Sequence, residues 1–276
     1  MAPTPDRWSG PGGCDHDPKP TIAVVLGPPR TGTTFLQKKL CELSNGIGIY
    51  EPTGISAYQG VNVGINPYDN IFAYQHQHIR RNPGAPIVVK EVLDGVMISH
   101  LASQGHDLTS WIDFRRLGNT RIIWIFRSPI EVWRSIVAQG WDRTYHPINT
   151  FTTFYADAYA CYQTMKALAP SQTTIISHGR LMQALNHNLE LIARFAGLPV
   201  AAGWEQRNED KTAYYRRVYY DPIVKVLMEE QNAHASLHNG PASGKAKPTL
   251  DDDSRNRINA RLLPLYEQIL AEDLLA

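Results

Sequence analysis

The sequence has almost no charge of either sign to spare. Against 27 Lys and Arg stand 26 Asp and Glu, which leaves a net charge of +1 with His neutral. A surface built to grip nucleic acid or an anionic membrane needs a basic excess, so neither partner is expected, and only a local basic pocket stays open. Cysteine is scarce as well. Cys14, Cys41 and Cys161 are far apart, odd in number and form no Cys-x-x-Cys pair. A disulfide framework and a structural zinc site are therefore not expected, and a reducing, cytoplasmic setting fits. No apolar run approaches the roughly 20 residues that span a bilayer. Residues 1–19 are rich in Pro, Gly and Asp, carry no apolar stretch of the signal-peptide kind, and read as a disordered tail.

What is present is core material. Apolar residues make up 43% of the 276, enough for residues 20–276 to be read as one domain with a real core. Thr21–Leu26 is a short, β-branched apolar run, the pattern of a strand buried on both faces of a parallel sheet. Phe35, Leu36, Leu40 and Leu43 follow at helical spacing, and Asn45-Gly46 ends that helix. Residues 46–82 lack clean periodicity but hold Tyr50, Tyr58, Tyr68, Phe72 and Tyr74, and read as a long, partly helical loop.

Pro86–Lys90 and Arg121–Phe126 predict further strands, and Thr173–Ile176 a fourth. Ser128-Pro129-Ile130-Glu131 has the form of a capping box with Pro at the first helical position. Helices are also predicted over Phe151–Leu168, Leu181–Ala196, Tyr219–Ala233 and Ser254–Ala271, with Asp251-Asp252-Asp253 at the start of the last, where negative charge is favoured. Asn239–Pro248 reads as a flexible loop with two lysines. Strands alternating with helices define an α/β class with a mostly parallel central sheet flanked by helices. In such sheets ligands bind beyond the carboxyl ends of the strands. Residues 27–34, Lys90-Glu91 and Arg127 all fall at such ends.

The segment Leu26-Gly-Pro-Pro-Arg-Thr-Gly-Thr-Thr-Phe35 joins a strand to a helix. Backbone N–H groups at a helix start, with the helix dipole behind them, hold an anion. Gly27 and Gly32 allow tight turns, Arg30 adds a planar fork of donors, and Thr33 and Thr34 add hydroxyls. Gly27-x4-Gly32 suggests the loop of nucleoside triphosphatases, which requires Lys directly after the second Gly; Thr33 stands there instead, with the cation inside the loop at Arg30. A strand-to-helix turn with no ligand is the plain alternative.

Here the chain resembles the sulfotransferases that use 3′-phosphoadenosine 5′-phosphosulfate (PAPS). Their loop, Pro-[Lys/Arg]-Ser-Gly-Thr-Thr, is similar to Pro29-Arg30-Thr31-Gly32-Thr33-Thr34. Their second element, an Arg at a strand end with a Ser in the following helix, is similar to Arg127 and Ser135. Leu191-Ile-Ala-Arg-Phe-Ala-Gly-Leu-Pro199 and the Gly244-Lys245 loop are weaker echoes, and Ser177-His178-Gly179 departs from the Tyr-Glu-Asp-like turn of many members. The resemblance implies a P-loop-like sulfotransferase fold, with PAPS as donor, adenosine 3′,5′-bisphosphate as product and no metal. It implies that Arg30, Thr31, Gly32, Thr33, Thr34 and Phe35 hold the 5′-phosphosulfate, that Arg127 and Ser135 hold the 3′-phosphate, and that Lys245 lies in a donor-covering loop.

By the same resemblance, transfer to a hydroxyl is an in-line displacement, carried by positioning and charge stabilisation with Arg30 at the transferring group. The acceptor needs a base. The His that many members carry after the second strand is absent from Val89-Lys90-Glu91-Val92, and bacterial members often use a carboxylate instead. Glu51 is the first choice and Glu91 the second, with Lys90 as an assisting cation; a carboxylate taken alone is more often a salt-bridge partner than a base. His100 and His106 are lesser options, His76-Gln-His78 reads as a surface pair rather than a metal site, and Tyr214-Tyr215 and Tyr219-Tyr220 fit an acceptor pocket or helix packing alike. The aromatic 46–82 region points to a small acceptor, such as a phenol or a secondary metabolite. A homodimer is compatible with the sequence. The rival readings are a kinase or other phosphotransferase with a degenerate loop, and a nucleotide-binding protein without catalysis.

Overall fold

The computed structural model describes residues 21–51, 84–94, 120–144, 146–206 and 248–276. They build a five-stranded parallel sheet of order β2-β3-β1-β4-β5, with β1 Ile22–Gly27, β2 Ile47–Tyr50, β3 Ile87–Val92, β4 Thr120–Phe126 and β5 Thr173–Ser177. Every residue of β1 is buried, because β3 and β4 flank it and helices cover both faces. This is the continuous apolar run that a central parallel strand demands.

The pleat sorts the side chains of one strand to opposite faces. From β4, Trp124 and Phe126 join a core with Trp133, Phe151, Tyr155, Tyr159 and Tyr162, contributed by α2 (Pro129–Ala138) and α3 (Ile148–Leu168). The last helix, α6 (Asp252–Glu272), adds Ile258, Leu262 and Ile269 to that face. Ile123 and Ile125 go to the other face, against α1 (Thr33–Ser44), whose Leu36, Leu40 and Leu43 are buried, and α5 (Leu185–Ala196). Ring pairs such as Phe126–Tyr155, edge to face at 5.4 Å, each add roughly 0.5–1.5 kcal/mol beyond area burial. Tyr159 and Tyr162 donate to the two oxygens of Glu272, both at 2.8 Å; burial and the nearby carboxylate push the Tyr159 hydroxyl up to about 12. No helix among the described residues is long and apolar enough to cross a membrane.

Several expectations are corrected. The irregular stretch expected from residue 46 begins instead with an edge strand, β2, paired to β3. Four residues with Gly48 among them give too weak a local signal; the partner strand supplies it. The helix expected over 181–196 is two, α4 (His178–Gln183) and α5, broken at Ala184 (φ −140°, ψ 63°). α2 starts with Pro129 as predicted, but no side chain caps it. Glu131, the expected partner of the cap, is drawn instead to Arg134 at 2.7 Å and Arg127 at 3.4 Å. Asp251 does cap α6, accepting from the Ser254 amide at 2.7 Å. The tail of residues 1–19, the helix expected over 219–233 and the residues 239–247 lie outside the described residues.

Candidate functional site

β1 leads into α1 on one face of the sheet, and β4 leads into α2 on the other. The two connections diverge between neighbouring strands, which opens a crevice at their carboxyl ends. Of the residues singled out for donor binding, Arg30 and Ser135 meet there, and Arg127 stands just after β4.

The loop after β1 is closed by its own side chains. The buried Thr31 hydroxyl donates to the Pro28 carbonyl at 2.7 Å. A Cβ on residue 27 would lie 2.4 Å from the Ile125 carbonyl and 2.8 Å from Thr31 Oγ1, so only glycine lets the loop fold so tightly on β4. Gly32 precedes α1 with φ 104°, a conformation that strains any other residue. No side chain caps α1 and no acidic residue occupies its first turn. The amides of Thr33, Thr34 and Phe35 therefore keep the donor character that an anion would meet.

Arg30 is also left-handed, with φ 67°, and exposed. Its guanidinium lies 5.3 Å from the centre of the Trp141 ring, and its Nε donates to Ser135 Oγ at 2.9 Å. That bond joins the loop after β1 to the second turn of α2. Arg127 follows β4 directly, half-buried, with its carbonyl accepting from Tyr155 Oη at 2.7 Å and its guanidinium 3.4 Å from Glu131. Arg30 and Gly32 thus stand after β1 and Arg127 after the neighbouring β4, with Ser135 of α2 bonded to Arg30. Lys245 lies outside the described residues.

On the other side of β1 stand the base candidates. Glu51 follows β2 with φ 42°, and its amide donates to the Lys90 carbonyl at 2.7 Å. Its carboxylate forms an ion pair with Lys90 Nζ, and Lys90 is buried. Glu91 is buried too, but the pleat of β3 sends it to the opposite face from Lys90. The structure therefore brings Glu51 and Lys90 together and separates Glu91 from both. His76, His78, His100, His106 and the Tyr pairs at 214–215 and 219–220 lie outside the described residues. Among the described residues no three His, Cys, Asp or Glu side chains converge to hold a metal ion.

Sequence reasoning missed two neighbours. Trp141, in a turn of 3-10 helix after α2, supports Arg30, and no local pattern marks it. His178, at the end of β5, packs on Gly32: a Cβ there would lie 2.7 Å from His178 Cδ2. Burial, and then the charge of Arg127, lower its basicity below that of an ordinary histidine. The departure at Ser177-His178-Gly179 was its only sequence signal.

No protein-family model matches the chain, and no curated protein matches it in sequence. Among the solved structures that it resembles are sulfotransferases and a gluconokinase from Sinorhizobium meliloti. The sulfotransferase domain from the curacin biosynthetic pathway aligns with a TM-score of 0.51 at 13% identity, over 88% of this chain and 98% of that one. A sulfotransferase from Alicyclobacillus acidocaldarius gives 0.49 at 10%, over 92% and 95%, and a mouse sulfotransferase complexed with PAP gives 0.39 at 13%, over 94% and 86%. The fold is the P-loop-like α/β fold that sulfotransferases adopt.

Proposed function

We propose that the chain is a sulfotransferase that moves the sulfuryl group of PAPS to a hydroxyl of a small acceptor. One observation carries this reading. The 2.9 Å bond from Arg30 to Ser135 brings two segments 105 residues apart together at the ends of β1 and β4, which supports a shared role in holding an anionic donor. A donor with phosphates at its 5′ and 3′ positions needs two such poles. The residues fit it: Arg30 and the amides from Thr31 to Phe35, in the loop and the first turn of α1, suit the 5′-phosphosulfate, and Arg127 with Ser135 suits the 3′-phosphate. Lys245 is proposed as a further donor contact.

The donor supplies an activated sulfuryl group. In the transfer, the acceptor oxygen bonds to sulfur, the bond from sulfur to the 5′-phosphate oxygen breaks, and the acceptor proton passes to Glu51. Lys90 orients that carboxylate. With strands about 4.8 Å apart, Glu51 stands two strands, or roughly 10 Å, to one side of the phosphate loop. That spacing leaves room for an acceptor between them. Glu91, on the other face of β3, is the second choice. The acceptor we propose is a phenol or similar apolar hydroxyl compound.

Calorimetry with adenosine 3′,5′-bisphosphate tests the donor half. Wild type is expected to bind, and Arg30→Ala and Arg127→Ala to bind more weakly. Absence of binding by the wild-type protein would defeat the donor assignment. A sulfation screen with PAPS tests the acceptor half, and turnover with polysaccharides alone would defeat it.

A further inference from the structure

The end of β5 is tied down firmly. The Ser177 amide donates to Asp273 Oδ2 at 2.9 Å, and Ser177 Oγ accepts from the Arg180 amide at 3.3 Å. Leu274 donates from its amide to the Ile175 carbonyl at 2.9 Å. His178 starts from this fixed point, and its ring reaches past the end of β4 to the phosphate loop. Measured from a Cβ built on residue 32, Cδ2 lies at 2.7 Å and Nε2 at 3.4 Å. The Cδ2–Nε2 edge of the imidazole therefore rests on the residue that opens α1. No hydrogen bond to the ring forms among the described residues.

A ring that merely fills space beside Gly32 has no need of a nitrogen on that edge. We propose that His178 is a further anion contact of the donor site, offering an imidazole N–H to the tetrahedral anion held at the start of α1. This rests on the donor reading above and adds a residue to it.

The charges around the ring fix how such a contact responds to pH. Arg127 faces it from the end of β4. Arg180, on the same helix, turns its guanidinium to the Leu270 carbonyl at 2.7 Å and lies 3.6 Å from Asp273 at the end of α6. Tyr266 of α6 lies within the field of Arg127, Arg180 and Asp273, and is raised above the usual phenol range by burial. Arg30, beyond Gly32, is turned to Ser135. With the site empty, burial and then Arg127 lower the basicity of the imidazole and so favour its neutral form. A bound dianion offsets the field of Arg127 and favours the imidazolium, so binding takes up a proton. Affinity then rises as pH falls, over the window between the lowered basicity of the empty site and the higher basicity of the occupied one.

The test is calorimetry with adenosine 3′,5′-bisphosphate and with inorganic sulfate, which does not itself titrate in this range, between about pH 6 and about pH 8. Wild type is expected to gain roughly threefold to tenfold in sulfate affinity toward the acid end, with heats that vary with the ionisation enthalpy of the buffer. His178→Gln keeps an N–H donor and does not titrate, so it should bind sulfate with a flat pH profile. His178→Phe keeps a ring on Gly32 and loses the donor, so it should bind both ligands more weakly throughout. Thermal melts establish that each variant is folded, and the Gln variant alone decides the matter if the Phe variant is not. Equal affinities and equal pH slopes in wild type and His178→Gln would overturn the assignment of His178 and leave the donor reading intact. Failure of wild type to bind the bisphosphate at all would instead remove the donor reading.

Discussion

On the β4 side of β1, Arg30 and Arg127 stand exposed or half-buried at the ends of their segments; on the β3 side, Lys90 is 1% exposed and ion-paired with Glu51. The two sides of the crevice therefore hold charge in opposite ways. An exposed or half-exposed guanidinium costs little to keep in water, and even where it pairs at the surface, as Arg127 does with Glu131, its donors can be turned to a ligand at small cost. A buried ion pair is already neutral, and its desolvation is offset only while both partners stay in place. The β4 side is suited to a polyanion. The β3 side is suited to an uncharged hydroxyl and a proton that moves a short way.

The sharpest way to break this comparison is at Glu51. If it is the base, Glu51→Gln should lower turnover by about 10²–10⁴-fold, the usual scale of general-base catalysis. Affinity for adenosine 3′,5′-bisphosphate, across β1, should stay close to wild type. The same change leaves the Lys90 ammonium buried without its carboxylate, so a fall in melting temperature should accompany it. Turnover that survives in a folded Gln variant would move the assignment to Glu91.

Arg127→Ala should give the mirror image. Loss of one charge-assisted contact, about 1.5–3 kcal/mol, weakens adenosine 3′,5′-bisphosphate binding by roughly tenfold to 150-fold. The fold should hardly notice, because the 3.4 Å contact with Glu131 is a half-exposed surface pair and Tyr155 binds the Arg127 backbone, not its side chain. Calorimetry and a thermal melt on one preparation separate the two effects. A large loss of stability would mean that Arg127 is a structural residue. Gly32→Ala should act on both properties at once, since a methyl there meets His178 and the φ of 104° resists any side chain. We expect a loss of about 1–3 kcal/mol in stability by denaturant unfolding, together with weaker sulfate binding.

The two sides also differ in how far they could be read from sequence. β1 and β4 are buried on both faces, so their apolar runs announce themselves, and the loop and Arg127 follow directly from their ends. β2 is four residues at the sheet edge, and its strand character comes from pairing with β3, which lies far off in sequence. For that reason Glu51 and Lys90 were each legible as candidates but not as partners. The Arg30–Ser135 bond and the seat of His178 on Gly32 are likewise products of sheet order, which brings β1, β4 and β5 side by side. Motif spacing names residues; only the strand order says which of them touch.

Trp141 is where the smallest effect is expected and where the β4 side can be examined most finely. Its ring lies 5.3 Å from the guanidinium of an exposed, left-handed Arg30 that also donates to Ser135. A cation–π contact at such a site contributes about 0.5–1 kcal/mol. If its role is to hold the guanidinium ready beside Ser135, Trp141→Leu should weaken sulfate or bisphosphate binding by only about twofold to fivefold. The double variant with Arg30→Ala distinguishes support from direct contact. Support predicts that Trp141→Leu has no further effect once Arg30 is gone, because the coupling energy equals the whole effect. The same loss in both backgrounds would mean that the indole touches the ligand itself, and that the β4 side offers a ring as well as its cations.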